Sequence, residues 1–395
     1  MNEKVKLGDI CNILNGYAFK SKKYVDKGIR VIRITNVQKG TIEDVDPKYY
    51  DISEIDNFKN YMLKENDLLI SLTGNVGRVG LMIKEFLPAG LNQRVGCLRI
   101  KDDRNVSIRY LYQCLNNNKF ETECINNSNG IAQKNLSTEW LKNYSIPVPN
   151  IEIQQQIANK LEKIQKIIED KKQQMKDFDE LIKSQFVEMF GTEKDTKYNT
   201  KTLIEIAKKE PNSIKRGPFG GSLKKEDFVA DGYLVYEQRH AIHNDFEYEK
   251  YYITEEKYKD MQMFKVKPKD LLISCSGVTL GKIAEVPKNA KKGIINQALL
   301  KITLDSNIMN NIYFIQYFRS DEVQEKLFSF SRGSGIPNFP SMNEVKKIRF
   351  ICPPIELQNK FAEFVKQIDK QKFEIENSLK EMQKLYESLM EKYFG

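Results

Sequence analysis

The sequence predicts an α+β protein. Two similar globular domains of mixed sheet and short helices are joined by two long helices, packed as an antiparallel coiled coil with pseudo-two-fold symmetry. Three observations carry this expectation: an uninterrupted heptad stretch in mid-chain, a second such stretch at the C-terminal end, and a repeat that spans the whole chain.

The first stretch shows apolar residues at Ile157, Leu161, Ile164, Ile168, Met175, Phe178, Ile182 and Met189. The steps alternate four and three, and Lys171 and Gln185 fill the two gaps, where they are expected to fix register. No Pro or Gly interrupts the run between Asn150 and Gly191. A helix of about 40 residues spans about 60 Å. It is too long for the core of one compact domain and must bury its stripe against another long helix. The second stretch supplies that helix, with a seam at Phe361, Val365, Ile368, Ile375, Leu379, Met382, Tyr386, Leu389 and Tyr393.

The repeat is read from spacing. Asp67-Leu-Leu-Ile-Ser71 returns as Asp270-Leu-Leu-Ile-Ser274, 203 residues later. Asn92-Gln93 returns as Asn296-Gln297, Ile151-Glu-Ile-Gln154 as Ile355-Glu-Leu-Gln358, and Phe190-Gly191 as Phe394-Gly395, each 204 residues later. Ser128-Asn-Gly-Ile131 and Gly333-Ser-Gly-Ile336 are a further matched pair. The order predicted is a globular domain over 1–146, a long helix within 147–191, a polar linker over 192–200, a second domain over 201–352 and a second long helix within 353–395.

Within the domains, strands are expected at Arg30–Ile34, Asp67–Leu72 and Arg94–Ile100, then at Tyr233–Glu237, Asp270–Ser274 and Ile294–Leu304. Short helices are expected at Ile108–Leu115 and Asn311–Phe318. Pro147 and Pro149, then Pro353 and Pro354, close the domains and start the long helices. In an antiparallel pair, Leu161 and Val365 lie far apart. In a parallel pair they would be neighbours.

The chain has 395 residues, a net charge of +9 and 40% apolar residues. The positive balance favours a polyanionic partner. Six cysteines without a C-x-x-C pair are expected to be reduced, buried thiols, which fits a cytoplasmic protein. No apolar run is long enough to span a membrane, and the first residues do not resemble a signal peptide.

Catalytic constellations are not found. His240 and His243 are the only histidines, too few for a zinc site, so no metal is expected. Ser71–Gly80 is glycine-rich but lacks the Lys-Ser/Thr of a phosphate loop and is expected to be a turn between strands. Cys352-Pro-Pro-Ile355 lacks the Asn and the aromatic of an adenine methyltransferase motif.

For a DNA partner, phosphate contacts come from Lys, Arg and backbone amides, and base contacts from Arg, Asn, Gln and small loops. The first domain offers Tyr17, Lys20, Arg33, Asn36, Thr73, Asn75, Arg78, Gln93, Arg94, Gln133 and Lys134. The second offers Lys215, Arg216, Ser222, Gln238, Arg239, His240, Ser276, Thr279, Lys282, Gln297, Arg332 and Asn338.

These residues, with the duplicated D-L-L-I-S segment, the Asn-Gln pair and the start of each long helix, Pro147-Val-Pro-Asn-Ile-Glu-Ile-Gln154 and Pro353-Pro-Ile-Glu-Leu-Gln358, carry a resemblance. So do the helix endings Leu181–Gly191 and Leu385–Gly395, and Arg216-Gly-Pro-Phe-Gly-Gly-Ser222. Over essentially its whole length the chain resembles the specificity (S) subunit of a type I restriction-modification system. The resemblance implies two target recognition domains, each reading one half of a bipartite double-stranded DNA site, with the helices setting the gap. It implies two methyltransferase (M) subunits carrying S-adenosylmethionine, and restriction (R) subunits using ATP and Mg. The chain itself would be non-catalytic, with no cofactor of its own. Phe186, Phe190, Leu389 and Phe394, near the helix ends, are the expected docking points for the methyltransferase. The first domain departs from the family's G-P-F-G opening, having Asn15-Gly-Tyr-Ala-Phe-Lys20. Three alternatives stand beside this reading: the S subunit of a modification-only methyltransferase, a coiled-coil protein scaffold without a DNA role, and a self-sufficient nuclease or methyltransferase.

Overall fold

A computed structural model describes residues 4–102, 104–130, 134–192, 194–277, 279–329 and 339–395. Contacts divide the chain into two units, Met1–Lys172 with Asn377–Gly395, and Gln173–Glu376. Each unit holds one globular domain and part of both long helices.

In the first unit, four antiparallel strands lie in the order Cys11–Asn15, Val95–Ile100, Leu68–Ser71, Val79–Leu81. A smaller sheet orders Tyr49–Tyr50, Ile29–Ile32 and Ala89–Leu91, the last two parallel. Lys4–Lys6 pairs with Ser145–Pro147, so the domain's two ends meet in one ladder. The first unit also has a hairpin, Val37–Gln38 with Thr41–Ile42, and the second unit repeats the other three sheets. Its four strands are Ile214–Arg216, Leu299–Ile302, Leu271–Ser274 and Ile283–Glu285. Its smaller sheet is Tyr252–Ile253, Tyr233–Tyr236 and Gly293–Ile295, and its closing ladder pairs Thr200–Thr202 with Arg349–Ile351. The run 294–304, expected as one strand, is two strands in different sheets. Asn296 breaks it: its side-chain oxygen accepts from Ala298 N at 3.0 Å and its carbonyl from Leu299 N at 3.2 Å.

The repeated motifs are structural fasteners. Asp67, 3% exposed, accepts from Lys64 N at 2.7 Å and pairs with Arg99 through both oxygens, at 2.8 and 2.6 Å. Asp270 does the same with Lys267 N at 2.8 Å and the Thr303 hydroxyl at 2.6 Å. A buried carboxylate is tolerated only with such partners. The serine closing each D-L-L-I-S strand clasps the glycine turn that follows. Ser71 Oγ donates to Asn75 O and accepts from Arg78 N, and Ser274 Oγ donates to Thr279 O and accepts from Lys282 N.

The glutamine of I-E-x-Q has a third such role. Gln154 is fully buried. Its oxygen accepts from Ser107 N at 2.9 Å, and its nitrogen donates to Asn105 O at 3.0 Å and Pro149 O at 2.7 Å. Gln358 makes the matching bonds, from Asn310 N at 2.9 Å and to Ile308 O at 3.0 Å and Pro353 O at 2.8 Å. Ser107 and Asn310 are the N-caps of helices Ile108–Leu115 and Asn311–Phe318. Each glutamine therefore bolts a long helix to the start of a domain helix.

The long helices run Ile151–Phe190 and Ile355–Phe394. In the second unit Asp179 pairs with Lys372 at 2.6 Å, while Phe190, further along the first helix, meets Phe361, earlier on the second, at 5.5 Å between rings. The pairing is antiparallel. Leu161 lies in the first unit's core with Leu389 and Met390, and Val365 in the second unit's core.

Three expectations are corrected here. Phe186, Phe190 and Leu389 are buried at 7, 1 and 8% exposure, so they hold the cores together and are not open docking points. The half-buried Phe394 packs on Tyr110 at 5.5 Å. The seam near the end of the first helix passes through Ile182, Phe186 and Phe190, not Gln185, because a 3.6-residue turn drifts against a seven-residue count. Gln185 bonds its own helix at Glu188, and among the described residues the side-chain hydrogen bonds between the helices are Gln165–Tyr386 and Asp179–Lys372, which involve neither Lys171 nor Gln185. Burial pushes the thiols of Cys11, Cys114 and Cys275 up to about 12, as inert core cysteines require.

Candidate nucleic-acid interface

The antiparallel register gathers the candidate residues at one end of each four-stranded sheet. In the first unit Asn15 faces Gly96, Val95 faces Ser71 and Ile70 faces Val79. The segments leaving that end carry Tyr17 and Lys20, then Thr73, Asn75 and Arg78, then Gln93 and Arg94. Gly74 N donates to Lys134 O at 2.9 Å, which brings Lys134 to the same place. The smaller sheet delivers Arg33, because Asn92 N donates to Ile32 O at 3.1 Å. Lys20, Asn75, Gln93 and Arg94 are exposed.

Gly16 is required here. A Cβ at this position would stand 2.2 Å from the carbonyl oxygen of Asn92. Gly217 in the second unit has the same constraint, 1.8 Å from Asn296 O. The Asn of each Asn-Gln pair is a turn residue whose side-chain oxygen caps a backbone amide, while Gln93 and Gln297 stand exposed beside it. The two residues of the repeated pair thus divide the work: one builds the turn and the other is presented by it.

The second unit gathers its own set. Arg216 faces Leu300, Ser274 faces Leu299 and Ile273 faces Ile283. Lys215, Arg216 and Ser222, then Ser276, Thr279 and Lys282, then Gln297, leave that sheet end. Asn296 N donates to Tyr236 O at 2.9 Å, which sets Gln238 and Arg239 alongside. Gln238 Nε2 donates to Ser276 Oγ at 3.0 Å and ties two of these segments together. The Arg239 guanidinium lies 4.3 Å from the centre of the Tyr248 ring, and Arg216 lies 5.5 Å from that of Phe219. Lys282, Gln297 and Ser222 are exposed, and so is Phe219 at 67%.

Three buried side-chain polar atoms are unpartnered among the described residues: Arg33 Nε, Arg216 Nε and Gln238 Oε1. All three belong to the set proposed from sequence. Such groups are rare in folded proteins and costly to leave without a partner.

Two candidates are corrected. His240 is 1% exposed; its Nδ1 accepts from Glu237 N at 2.9 Å and its Nε2 lies 2.9 Å from Tyr248 O, to which it donates. Asn36, 3% exposed, is its counterpart, accepting from Arg33 N at 2.9 Å and donating to Glu43 O and Val45 O. Both shape the turn after a strand and neither reaches the surface. Tyr17 is half-buried, and its ring joins an aromatic cluster with Phe19, Phe58 and Tyr61. Gln133, Arg332 and Asn338 lie outside the described residues. Two residues were not foreseen. Asp46 pairs with Arg33 at 3.2 Å and with Lys48 at 2.6 Å, and Gln38 accepts from Arg78 at 2.6 Å. Neither carries a repeat signature, so only the folded chain reveals them.

The fold is similar to that of the S subunit of a type I restriction-modification system from M. genitalium, with a TM-score of 0.60 and 16% identity over 100% of this chain and 96% of that one. A second similar fold, at 0.59 and 15% over 99% and 97%, comes from work on assembly and conformational transition of the type I system. Among curated proteins, the chain is 27% identical over 176 residues to the MjaVIII type I restriction enzyme specificity subunit of Methanocaldococcus jannaschii, covering 44% of this chain and 41% of that protein. It is 40% identical over 97 residues to the EcoAI specificity subunit of Escherichia coli, covering 24% of this chain and 16% of that protein. The matched segments thus span less than half the length of these relatives. The family described as type I restriction modification DNA specificity domain matches residues 2–177 and again 196–383. This chain belongs to that family and carries its domain twice.

Proposed function

We propose that the chain is the DNA-specificity subunit of a type I restriction-modification enzyme. Each globular domain reads one half of a bipartite double-stranded site, and the paired long helices set the distance between the halves. The observation that carries the reading is the gathering of Arg, Lys, Gln, Asn and Ser side chains at the same sheet end in both repeats, built on the same glycine and Asn-Gln turn. The two sets differ in detail: Arg33, Gln93 and Arg94 in one, Arg216, Gln238, Arg239 and Gln297 in the other. They are therefore expected to read different sequences.

The chain works without a cofactor of its own. Two methyltransferase subunits supply S-adenosylmethionine and the methylation of adenine, and restriction subunits use ATP and Mg. The docking surface for the methyltransferases is the exposed side of the long helices. Leu181 and Leu385, matched in the repeat and exposed at 44 and 43%, support that location.

The test is single-molecule methylation sequencing of a host carrying this subunit and its methyltransferase partner. A two-part motif with an unread gap is expected. Exchange of residues 201–352 for the second domain of another such subunit should change one half of the motif only. A motif without a gap, or a change in both halves, would overturn the reading.

A further inference from the structure

The first unit contains a closed ring of three hydrogen bonds among side chains of three elements. Gln113, on the domain helix Ile108–Leu115, is fully buried and donates through Nε2 to Gln165 Oε1 at 2.9 Å. Gln165, on the first long helix, donates to the Tyr386 hydroxyl at 2.8 Å. Tyr386, on the second long helix, donates back to Gln113 Oε1 at 3.2 Å. Each member both donates and accepts, so the ring is satisfied only when all three elements are in register.

The repeat does not reproduce this ring. By the spacing of the repeat, the counterparts in the second unit are Gln316, Asp369 and Ile182. Ile182 is a buried core residue without a polar group. The second unit carries a different polar contact between the helices, Lys372 to Asp179 at 2.6 Å. The two helices are alike in apolar pattern, so the first helix of one chain offers a seam that would also accept the first helix of a second chain. In that pairing Ile182 would stand where Tyr386 stands now. Gln113 and Gln165 would then be buried without their hydroxyl partner, and Asp179 would lose Lys372.

We propose that the Gln113–Gln165–Tyr386 ring makes the two long helices of one chain pair with each other, in one register, in preference to pairing with the like helix of a second copy. Polar groups in an otherwise apolar seam lower stability or leave it unchanged, while they exclude alternative partners. The Asp179–Lys372 pair adds to the same choice at the other half of the seam. The inference does not depend on what the globular domains bind.

The test uses the full chain. Gln113→Leu, Gln165→Leu and Tyr386→Phe are combined, and this and the parent background carry either Asp179→Cys with Lys372→Cys, which reports intrachain pairing, or Asp179→Cys with Ile168→Cys, which reports pairing between the first helices of two copies because Ile168 is the repeat counterpart of Lys372. Sedimentation and disulfide mapping are the readouts. The parent should be a monomer with an intrachain cross-link. The apolar triple variant should keep its helix content and thermal midpoint, yet show at least a tenfold rise in dimer and in interchain cross-link. A folded triple variant that stays monomeric, with the intrachain cross-link at parental efficiency, would overturn the proposal. So would a parent that dimerises through its helices. Where the triple variant does not fold, Tyr386→Phe alone carries the test. It removes only the hydroxyl, and a dimer fraction no higher than the parent's would be decisive against the ring.

Discussion

Replacing Gln154 with Leu tests the claim that one buried amide bolts the first long helix to its domain. The side chains are similar in volume, so little cavity forms. The change strands three backbone groups: the Ser107 amide and the carbonyls of Asn105 and Pro149. A buried polar group left without a partner costs about 1–3 kcal/mol. Asn105 is exposed and its carbonyl can turn to water, so two groups carry most of the penalty. The added apolar surface returns about 1–2 kcal/mol. The expected loss is about 2–3 kcal/mol, or roughly 4–12 °C in thermal midpoint for a unit of this size. Urea denaturation gives the free energy. Hydrogen exchange at the Ser107 amide gives the local effect, which should be a loss of protection. Gln358→Leu should cost the same within about 1 kcal/mol, because its bonds match in number and length. A loss below about 1 kcal/mol with Ser107 still protected would refute the bolt. A large difference between the two glutamines would refute the equivalence of the repeats.

Four further outcomes are expected. Gly16→Ala and Gly217→Ala should displace the turns at Asn92 and Asn296 and weaken specific DNA binding of the methyltransferase complex more than tenfold by fluorescence anisotropy, with helix content unchanged. Gln93→Ala and Gln297→Ala should each relax one half of the methylated motif in sequencing, with stability within about 0.5 kcal/mol of the parent. His240→Leu should destabilise the second unit by about 1–3 kcal/mol in urea because Glu237 N and Tyr248 O lose their partner, whereas His240→Asn, which places the side chain of Asn36 at the matching turn, should cost less and leave the motif unchanged. Phe186→Ala should cost about 3–5 kcal/mol by loss of core contacts, while Leu181→Asp and Leu385→Asp should leave the isolated chain stable and block co-purification with the methyltransferase.

The long helices were the most legible part of the chain, since a period sustained over 40 residues with prolines before it and no interruption has few other solutions. The D-L-L-I-S strands were nearly as clear, being short, apolar and bounded by turn residues. What escaped was pairing. Ile29–Ile32 lies beside Ala89–Leu91, and nothing in either segment names its distant neighbour. The turn inside 294–304 was hidden by apolar residues on both sides of Asn296. Phe186 and Phe190 were misjudged for a geometric reason: an exact heptad count departs from the helix over several turns, and the buried face moved to residues beside the expected ones. At the candidate interface, residue type and order named loops that the fold gathers at one sheet end in each repeat. They did not separate Gln93, which is presented, from Asn92, which builds the turn, or reveal that His240 and Asn36 are equivalent props. Those distinctions depend on burial and on which backbone amide a side chain meets.

The closing ladders have a genetic consequence. Lys4–Lys6 lies against Ser145–Pro147, and Thr200–Thr202 against Arg349–Ile351. Each domain therefore leaves the chain and returns to it at a single place. A recombination event with crossovers in the two strands of one ladder would exchange everything between them and alter only one short, locally paired seam. Strand pairing is held by backbone groups, which every sequence carries, so the incoming segment needs little prior adaptation at the join. Under the proposed function, a lineage can in this way change one half of the recognised site in a single event, while the helices, the Gln154 and Gln358 side chains and the other domain pass through unchanged.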